Sequence, residues 1–373
     1  MKIHWLGLGL SSYAGVRRVA ESGTPLLVWA RDLGKASKLL EELGVSADLA
    51  PYTLEVLARA LEPGDFVVSM FPAPMHPPIA RACVDRRAHL VTTSYVSDAM
   101  RALDSEARAA GVTLLNEVGL DPGLDHWMAH ELFESAGEAF ADPRAASYSF
   151  VSLCGGFPAE PGDFKYRFSW SPAGVLRALK NPATWIEGGE TRTSPTPGRD
   201  AKPIEIEGHT YEMYPNRDST AYVSQYASQV KLPARDFVRG TLRPQGWTKS
   251  WTEILEILPS HSDSEIEELA AQLWAKHAYS DGDHDRVVLH CALRVLDGRG
   301  ETIWQKALTL DESGTMPYDS AMNRLVSLPA AIGVSEIARG RLAPGIQIMP
   351  HEGESRLRWA QELAKAGIKL NEG

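Results

Sequence analysis

Over its first 115 residues the chain alternates short apolar runs with amphipathic stretches, and that alternation is its strongest constraint on fold. The apolar runs are KIHWLGL, PLLVWA, DFVVSMF, HLVTTS and VTLLNE; between them lie LGKASKLLEELG, TLEVLARALE, PPIARACVDRR and SDAMRALDSEARAAG. Short apolar runs suit strands, and the intervening stretches suit helices with one buried face. Strands that alternate with helices join through right-handed crossovers into a parallel sheet. The expected class is α/β, a Rossmann-type doubly wound parallel sheet, with ligands at the carboxyl ends of its strands.

From about residue 145 the pattern changes. AASYSFVSLCGGF reads as a strand, and RVVLHCALRVLDGRGETIWQKALTL as two antiparallel strands turning at Asp297-Gly298. EGGETRTSPTPGRD reads as a loop, whereas HSDSEIEELAAQLWAKH, AMNRLVSLPAAIGVSEIARG and GESRLRWAQELAKAG read as helical. The expected division is a discontinuous dinucleotide-binding domain, 1–122 plus about 320–373, and an α+β substrate and dimerisation domain at 123–319. That second domain is expected to carry a small helical insert at about 170–190 and 215–280.

Charge narrows the partners. Forty-eight acids against 38 bases give a net charge of -10, which argues against nucleic acid and anionic membranes as partners. No run approaches the roughly 18 apolar residues of a membrane span, and MKIHWLGLGL reads better as a first strand than as a leader. Cys83, Cys154 and Cys291 are odd in number and widely spaced, matching neither a zinc site nor a disulfide framework. A reducing cytoplasm and no metal are expected.

GLGLSSYAG follows the first strand and opens a helix. Gly7 and Gly9 match the first two glycines of the dinucleotide fingerprint, while the third position is Ser12. The loop Gly7, Gly9, Leu10, Ser11 and Ser12 is expected to receive a pyrophosphate on backbone N–H groups at a helix N-terminus. Ser69, closing a neighbouring strand, is placed with it. At the end of the second strand VWARDLGKA puts Ala30 and Arg31 where an acid would bind ribose hydroxyls, with Asp32 one further on. Arginine suits an adenosine 2′-phosphate, so NADP is favoured over NAD.

TTSYVSDAM, NEVGLDPGLDH, SLCGGFPAE, KYRFSWSPAGVLRALKNPA, YPNRDS and RGTLRPQG follow along the chain. Together they resemble the saccharopine reductase family, the glutamate-forming saccharopine dehydrogenases, whose relatives include carboxynorspermidine and homospermidine synthases. The resemblance runs from Gly7 to the LVSLPAAIG helix. It implies an NADP-dependent oxidoreductase that interconverts saccharopine with glutamate and 2-aminoadipate semialdehyde. One departure is Ala173 in FSWSPAG, where the eukaryotic reductases carry arginine.

Such a reaction removes hydride from the carbon beside a secondary amine and hydrolyses the resulting imine. It needs a group to take a proton and assist water, and cations for three substrate carboxylates. The resemblance implies Tyr95, Asp121 and Cys154 around the reacting carbon, with Asp121 as proton acceptor. Asp121-Pro122 also reads as the N-cap and N1 pair of a helix from Pro122, with Asp125 and His126 as its support. Arg217 and Arg243 are the expected carboxylate clamps, Asn216, Ser219 and Ser94 supporting donors, and Arg167 a weaker candidate. Two other readings stay open: a polyamine-related synthase, whose pocket would be acid-lined, and a non-catalytic NADP-binding sensor. A multiply carboxylated small molecule is the expected partner, and a homodimer the expected assembly.

Overall fold

The computed structural model describes residues 1–349, 353–369 and 371–372. The chain opens with six strands: β1 (Ile3–Leu6), β2 (Leu26–Ala30), β3 (Asp48–Pro51), β4 (Phe66–Ser69), β5 (His89–Thr92) and β6 (Thr113–Leu115). Between them run α1 (Tyr13–Glu21), α2 (Leu33–Glu42), α3 (Leu54–Ala60), α4 (His76–Arg86), α5 (Asp98–Arg101) and α6 (Asp104–Ala110); α7 (Leu124–Ser135) follows β6. Eight longer or edge strands come next: β7 (Ala145–Pro158), β8 (Ala183–Glu187), β9 (Glu190–Ser194), β10 (Lys202–Ile206), β11 (His209–Pro215), β12 (Ala234–Pro244), β13 (His284–Asp297) and β14 (Thr302–Thr315). The helix Ala321–Ala338, then β15 (Gly345–Gln347), the helix Gly353–Lys365 and β16 (Asn371–Glu372) end the chain.

Two compact units result, Met1–Trp127 with Met322–Ile368, and Met128–Ala321 with Lys369–Gly373. The first holds a seven-stranded sheet in the order β15-β6-β5-β4-β1-β2-β3. Every pairing in it is parallel. The order reverses between β1 and β4, the switch point at which doubly wound sheets bind ligands. β1 and β4 are buried on both faces, which is why their sequences are continuous apolar runs.

The second unit is a mixed nine-stranded sheet, order β10-β11-β12-β7-β13-β14-β16, with the β8–β9 hairpin attached to β12. β13 and β14 pair antiparallel around the turn after Asp297, as the sequence indicated. Two readings are corrected. EGGETRTSPTPGRD is not all loop: Glu190–Ser194 pairs with Ala183–Glu187, and Gly188 and Gly189 take the positive φ of the turn. The stretch 215–280 is not all helical insert, because ARDFVRGTLRP forms β12, a central strand between β11 and β7. Its arginines masked a strand that is buried over most of its length. The helices of this region, with Pro172–Lys180, pack around Tyr166, Phe168, Trp247 and Trp251.

Candidate active site

Gly7 follows β1 with φ of 91°, and its N–H donates to the Trp29 carbonyl at 3.1 Å. A Cβ added to Gly9 would meet nothing within 4 Å, leaving the loop backbone open to approach. Ser12 is fully buried; its Oγ donates to the Gly7 carbonyl at 3.1 Å and its N–H to the Gly9 carbonyl at 3.0 Å. It braces the loop. Close helix packing belongs instead to Gly15, where a Cβ would stand 2.5 Å from the Ser327 carbonyl oxygen. The Ala14 and Gly15 N–H groups donate to Asn323 Oδ1 and Ser327 Oγ of the helix Ala321–Ala338. Among the described residues the N–H groups of Leu10 and Ser11 meet no protein acceptor, which leaves them for an anion.

Ser69 ends β4 in register with Leu6, the residue before Gly7; its Oγ is buried and has no partner among the described residues. Arg31 follows β2 and is exposed, with no ion pair among the described residues. Asp32 N-caps α2, accepting the Lys35 N–H at 2.9 Å. Loop amides for a pyrophosphate, a waiting guanidinium and an orphaned hydroxyl fit a phosphorylated dinucleotide.

Beyond β5 and β6 the chain makes the second feature of this unit. The Tyr95 hydroxyl donates to Asp121 Oδ1 at 2.7 Å, both side chains half-buried. The expected capping role of Asp121 is corrected, since α7 starts at Leu124. The Asp121–Pro122 bond is cis, the Gly119 N–H donates to the Pro122 carbonyl at 2.9 Å, and the Leu124 N–H to Gly119 at 3.0 Å. Asp125 serves this corner, its Oδ1 accepting the Gly123 N–H at 2.6 Å.

Glu117, in the same stretch, was not singled out in the sequence. It is 4% exposed and holds φ of 55°. A non-glycine residue in that region costs roughly 1–2 kcal/mol. Its Oε1 accepts the Val96 N–H at 2.8 Å, and its Oε2 lies 2.7 Å from His126 Nε2. Its own N–H donates to the Ser94 carbonyl at 3.2 Å, so Ser94 contributes backbone to this junction. Ser97 N-caps α5. His76 and His89 are held by Thr92 and Thr113, as ordinary structural histidines.

In the second unit Cys154 is half-buried in the middle of β7, not at a strand end. Gly155 admits β12 closely rather than a ligand: a Cβ there would collide with the Leu242 backbone. Cys154 pairs in register with Thr241 and Ser152 with Arg239, so alternation along β12 puts Cys154, Arg239 and Arg243 on one face. Arg243 is 7% exposed, its guanidinium carbon 4.9 Å from the Tyr166 ring centroid, 5.3 Å from Trp247 and 5.6 Å from Tyr214. It has no carboxylate partner among the described residues, and its Nε lacks any hydrogen bond. Burial raises the Tyr166 and Tyr214 hydroxyl pKa values, and the Arg243 charge opposes that rise.

Arg239, which sequence reasoning passed over, is 4% exposed and stacks 4.1 Å from the Tyr222 centroid. Arg217 is exposed with φ of 56°, and Asn216 gives its N–H to the Arg239 carbonyl at 2.8 Å. Ser219 is corrected as a substrate donor: it is fully buried and its Oγ accepts the Arg239 N–H at 2.9 Å, bracing β12. Arg167 is paired with Asp283 at 2.6 Å. Ala173 is buried in the aromatic cluster around Trp247, where it offers no charge.

Residues 3–115 match the saccharopine dehydrogenase NADP binding domain, and 119–368 the saccharopine dehydrogenase C-terminal domain. The saccharopine dehydrogenase (NADP(+), L-glutamate-forming) of Pyricularia oryzae is 37% identical over 264 residues, covering 68% of this chain and 56% of that protein. The chain thus spans little more than half the length of that relative, and 21% of the rat alpha-aminoadipic semialdehyde synthase, to which it is 40% identical over 202 residues. The apo saccharopine dehydrogenase (L-Glu forming) of Saccharomyces cerevisiae superposes with a TM-score of 0.83 at 27% identity, covering 100% of this chain and 99% of that one. The homospermidine synthase of Legionella pneumophila shares the fold at 14% identity and a TM-score of 0.60, covering 100% and 91% of the two chains. The first unit is an NADP-binding domain, and the chain belongs to the saccharopine dehydrogenase family.

Proposed function

We propose that this protein is an NADP-dependent, glutamate-forming saccharopine dehydrogenase, acting on a secondary amine that bears several carboxylates. The observation that carries the reading is the Tyr95–Asp121 hydrogen bond at the carboxyl-end loops of a parallel sheet whose phosphate loop and Arg31 fit NADP. NADP, when bound, accepts hydride from the carbon beside the amine nitrogen. Asp121, oriented by the Tyr95 hydroxyl, takes the proton that the amine gives up, releases it to solvent, and as a carboxylate again takes a proton from the water that attacks the imine. Tyr95 holds the carboxylate in one orientation through both stages.

Arg217 and Arg243 are the cations for substrate carboxylates, with Asn216 beside Arg217 and Arg239 on the Arg243 face. The three arginines favour a polycarboxylate over a polyamine. Cys154 takes a polar position on that face, with no covalent step. The reading extends to a homodimer working in the cytoplasm. Purified protein given saccharopine and NADP should form NADPH with release of glutamate. Turnover of an amino acid with a polyamine aldehyde, and none of saccharopine, would replace this substrate.

A further inference from the structure

We infer that Glu117 is a positioning residue for the Tyr95–Asp121 pair, acting with His126 as a buried brace between the two loops that carry them. The inference rests on the function proposed above. Tyr95 stands on the loop after β5, Asp121 on the corner before α7, and a 2.7 Å hydrogen bond works only if both are fixed. Glu117 is where they are tied. Its N–H and its Oε1 grip the Tyr95 loop on either side, at the Ser94 carbonyl and the Val96 N–H. Its Oε2 grips His126 on the first turn of α7, a fully buried side chain. That turn is fastened to the Asp121 corner by the Asp125 N–H to the Leu120 carbonyl, the His126 N–H to the Gly123 carbonyl, and the Asp125 carboxylate to the Gly123 N–H.

A carboxylate is suited to this junction because its two oxygens accept from two directions at once. The backbone at Glu117 sits in the left-handed region that glycine would occupy more easily. Glycine there would relax the chain while deleting both side-chain grips, at the Val96 N–H and at His126.

The test compares wild type with E117G, E117Q and H126Q, and with Y95F alone and combined with E117G. E117G keeps a backbone that the left-handed conformation favours, so it separates the side chain from folding. Wild type must first turn over saccharopine with NADP; silence there sinks the proposed function, not the brace. Given turnover, E117G should lower kcat about 5- to 10-fold, no more than Y95F alone, with the KM for NADP within about twofold. E117Q, which keeps an oxygen for the Val96 N–H, should recover part of the loss. The Y95F/E117G double variant should be little slower than the slower single variant, because both act through one hydrogen bond. Losses that multiply, a kcat within twofold of wild type in E117G, or a fall in NADP affinity matching the fall in kcat would each overturn the brace. Should E117G fail to fold, E117Q and H126Q decide by the same cycle with Y95F.

Discussion

Tyr95 gives its hydroxyl proton to Oδ1 of Asp121 across 2.7 Å, joining the loop after the fifth strand to the corner after the sixth. The bond makes the tyrosine a donor and the carboxylate an acceptor, the state a proton-accepting group needs before amine oxidation. Asp121→Asn removes the acceptor and should lower kcat by about 100-fold or more, within the range for lost general-base catalysis. Tyr95→Phe leaves the carboxylate but not its orientation, and should cost about 10-fold. Initial rates at saturating substrate check both; a D121N enzyme within threefold of wild type would remove Asp121 from the chemistry.

Cofactor choice is expected to turn on Arg31. Its exposed guanidinium follows the second strand with no ion pair among the described residues. A charge-assisted hydrogen bond is worth about 1.5–3 kcal/mol, so Arg31→Ala should weaken NADP binding roughly 10- to 100-fold while leaving NAD affinity nearly unchanged. Titration with the fluorescent reduced forms, NADPH and NADH, measures the pair of constants. Equal effects on both cofactors would place Arg31 away from the 2′-phosphate.

Arg243 should trade stability against affinity. A buried guanidinium among three aromatic rings, with no carboxylate partner among the described residues, is expected to weaken the folded unit until an anion binds it. Arg243→Met, apolar and of similar length, should leave Tm equal or higher and raise the KM for saccharopine at least 10-fold. A lower Tm with an unchanged KM would make Arg243 a structural residue.

His76 sets an acid-side limit on stability. Burial holds its imidazole down to about 4, against 6.5 for an ordinary histidine, with the Phe71 backbone opposing. Between those values the unfolded chain binds the proton and the folded one does not, so stability falls as pH drops through that window. The loss from His76 is roughly 2 kcal/mol between pH 7 and pH 5. Denaturant unfolding at both values should show His76→Gln losing less stability than wild type by about that amount. An identical pH dependence would contradict it.

The doubly wound sheet was legible because its inner strands are uninterrupted apolar runs. β3 was not, because DLAP is a half-exposed edge strand with an acid and a proline. β15 was hidden by distance: three residues, Gly345–Gln347, return from far along the chain to pair with β6. In β12 the arginines broke the apolar pattern that marks a strand. The Tyr95 and Asp121 positions were readable through motifs, but Glu117 was not. Its left-handed backbone and its reach to Val96 and His126 are three-dimensional facts that VTLLNEV does not display. Ser219 erred the other way: a serine in a polar motif looks exposed, and here it braces a central strand from a fully buried position.

The central claim is tested most directly by mixing the purified protein with saccharopine and NADP and following NADPH absorbance while assaying glutamate. NADPH and glutamate should appear in equal amounts, faster with NADP than with NAD, and the D121N variant should form both about 100-fold or more slowly. No NADPH from saccharopine with either cofactor, in protein that still binds NADP, would contradict the account.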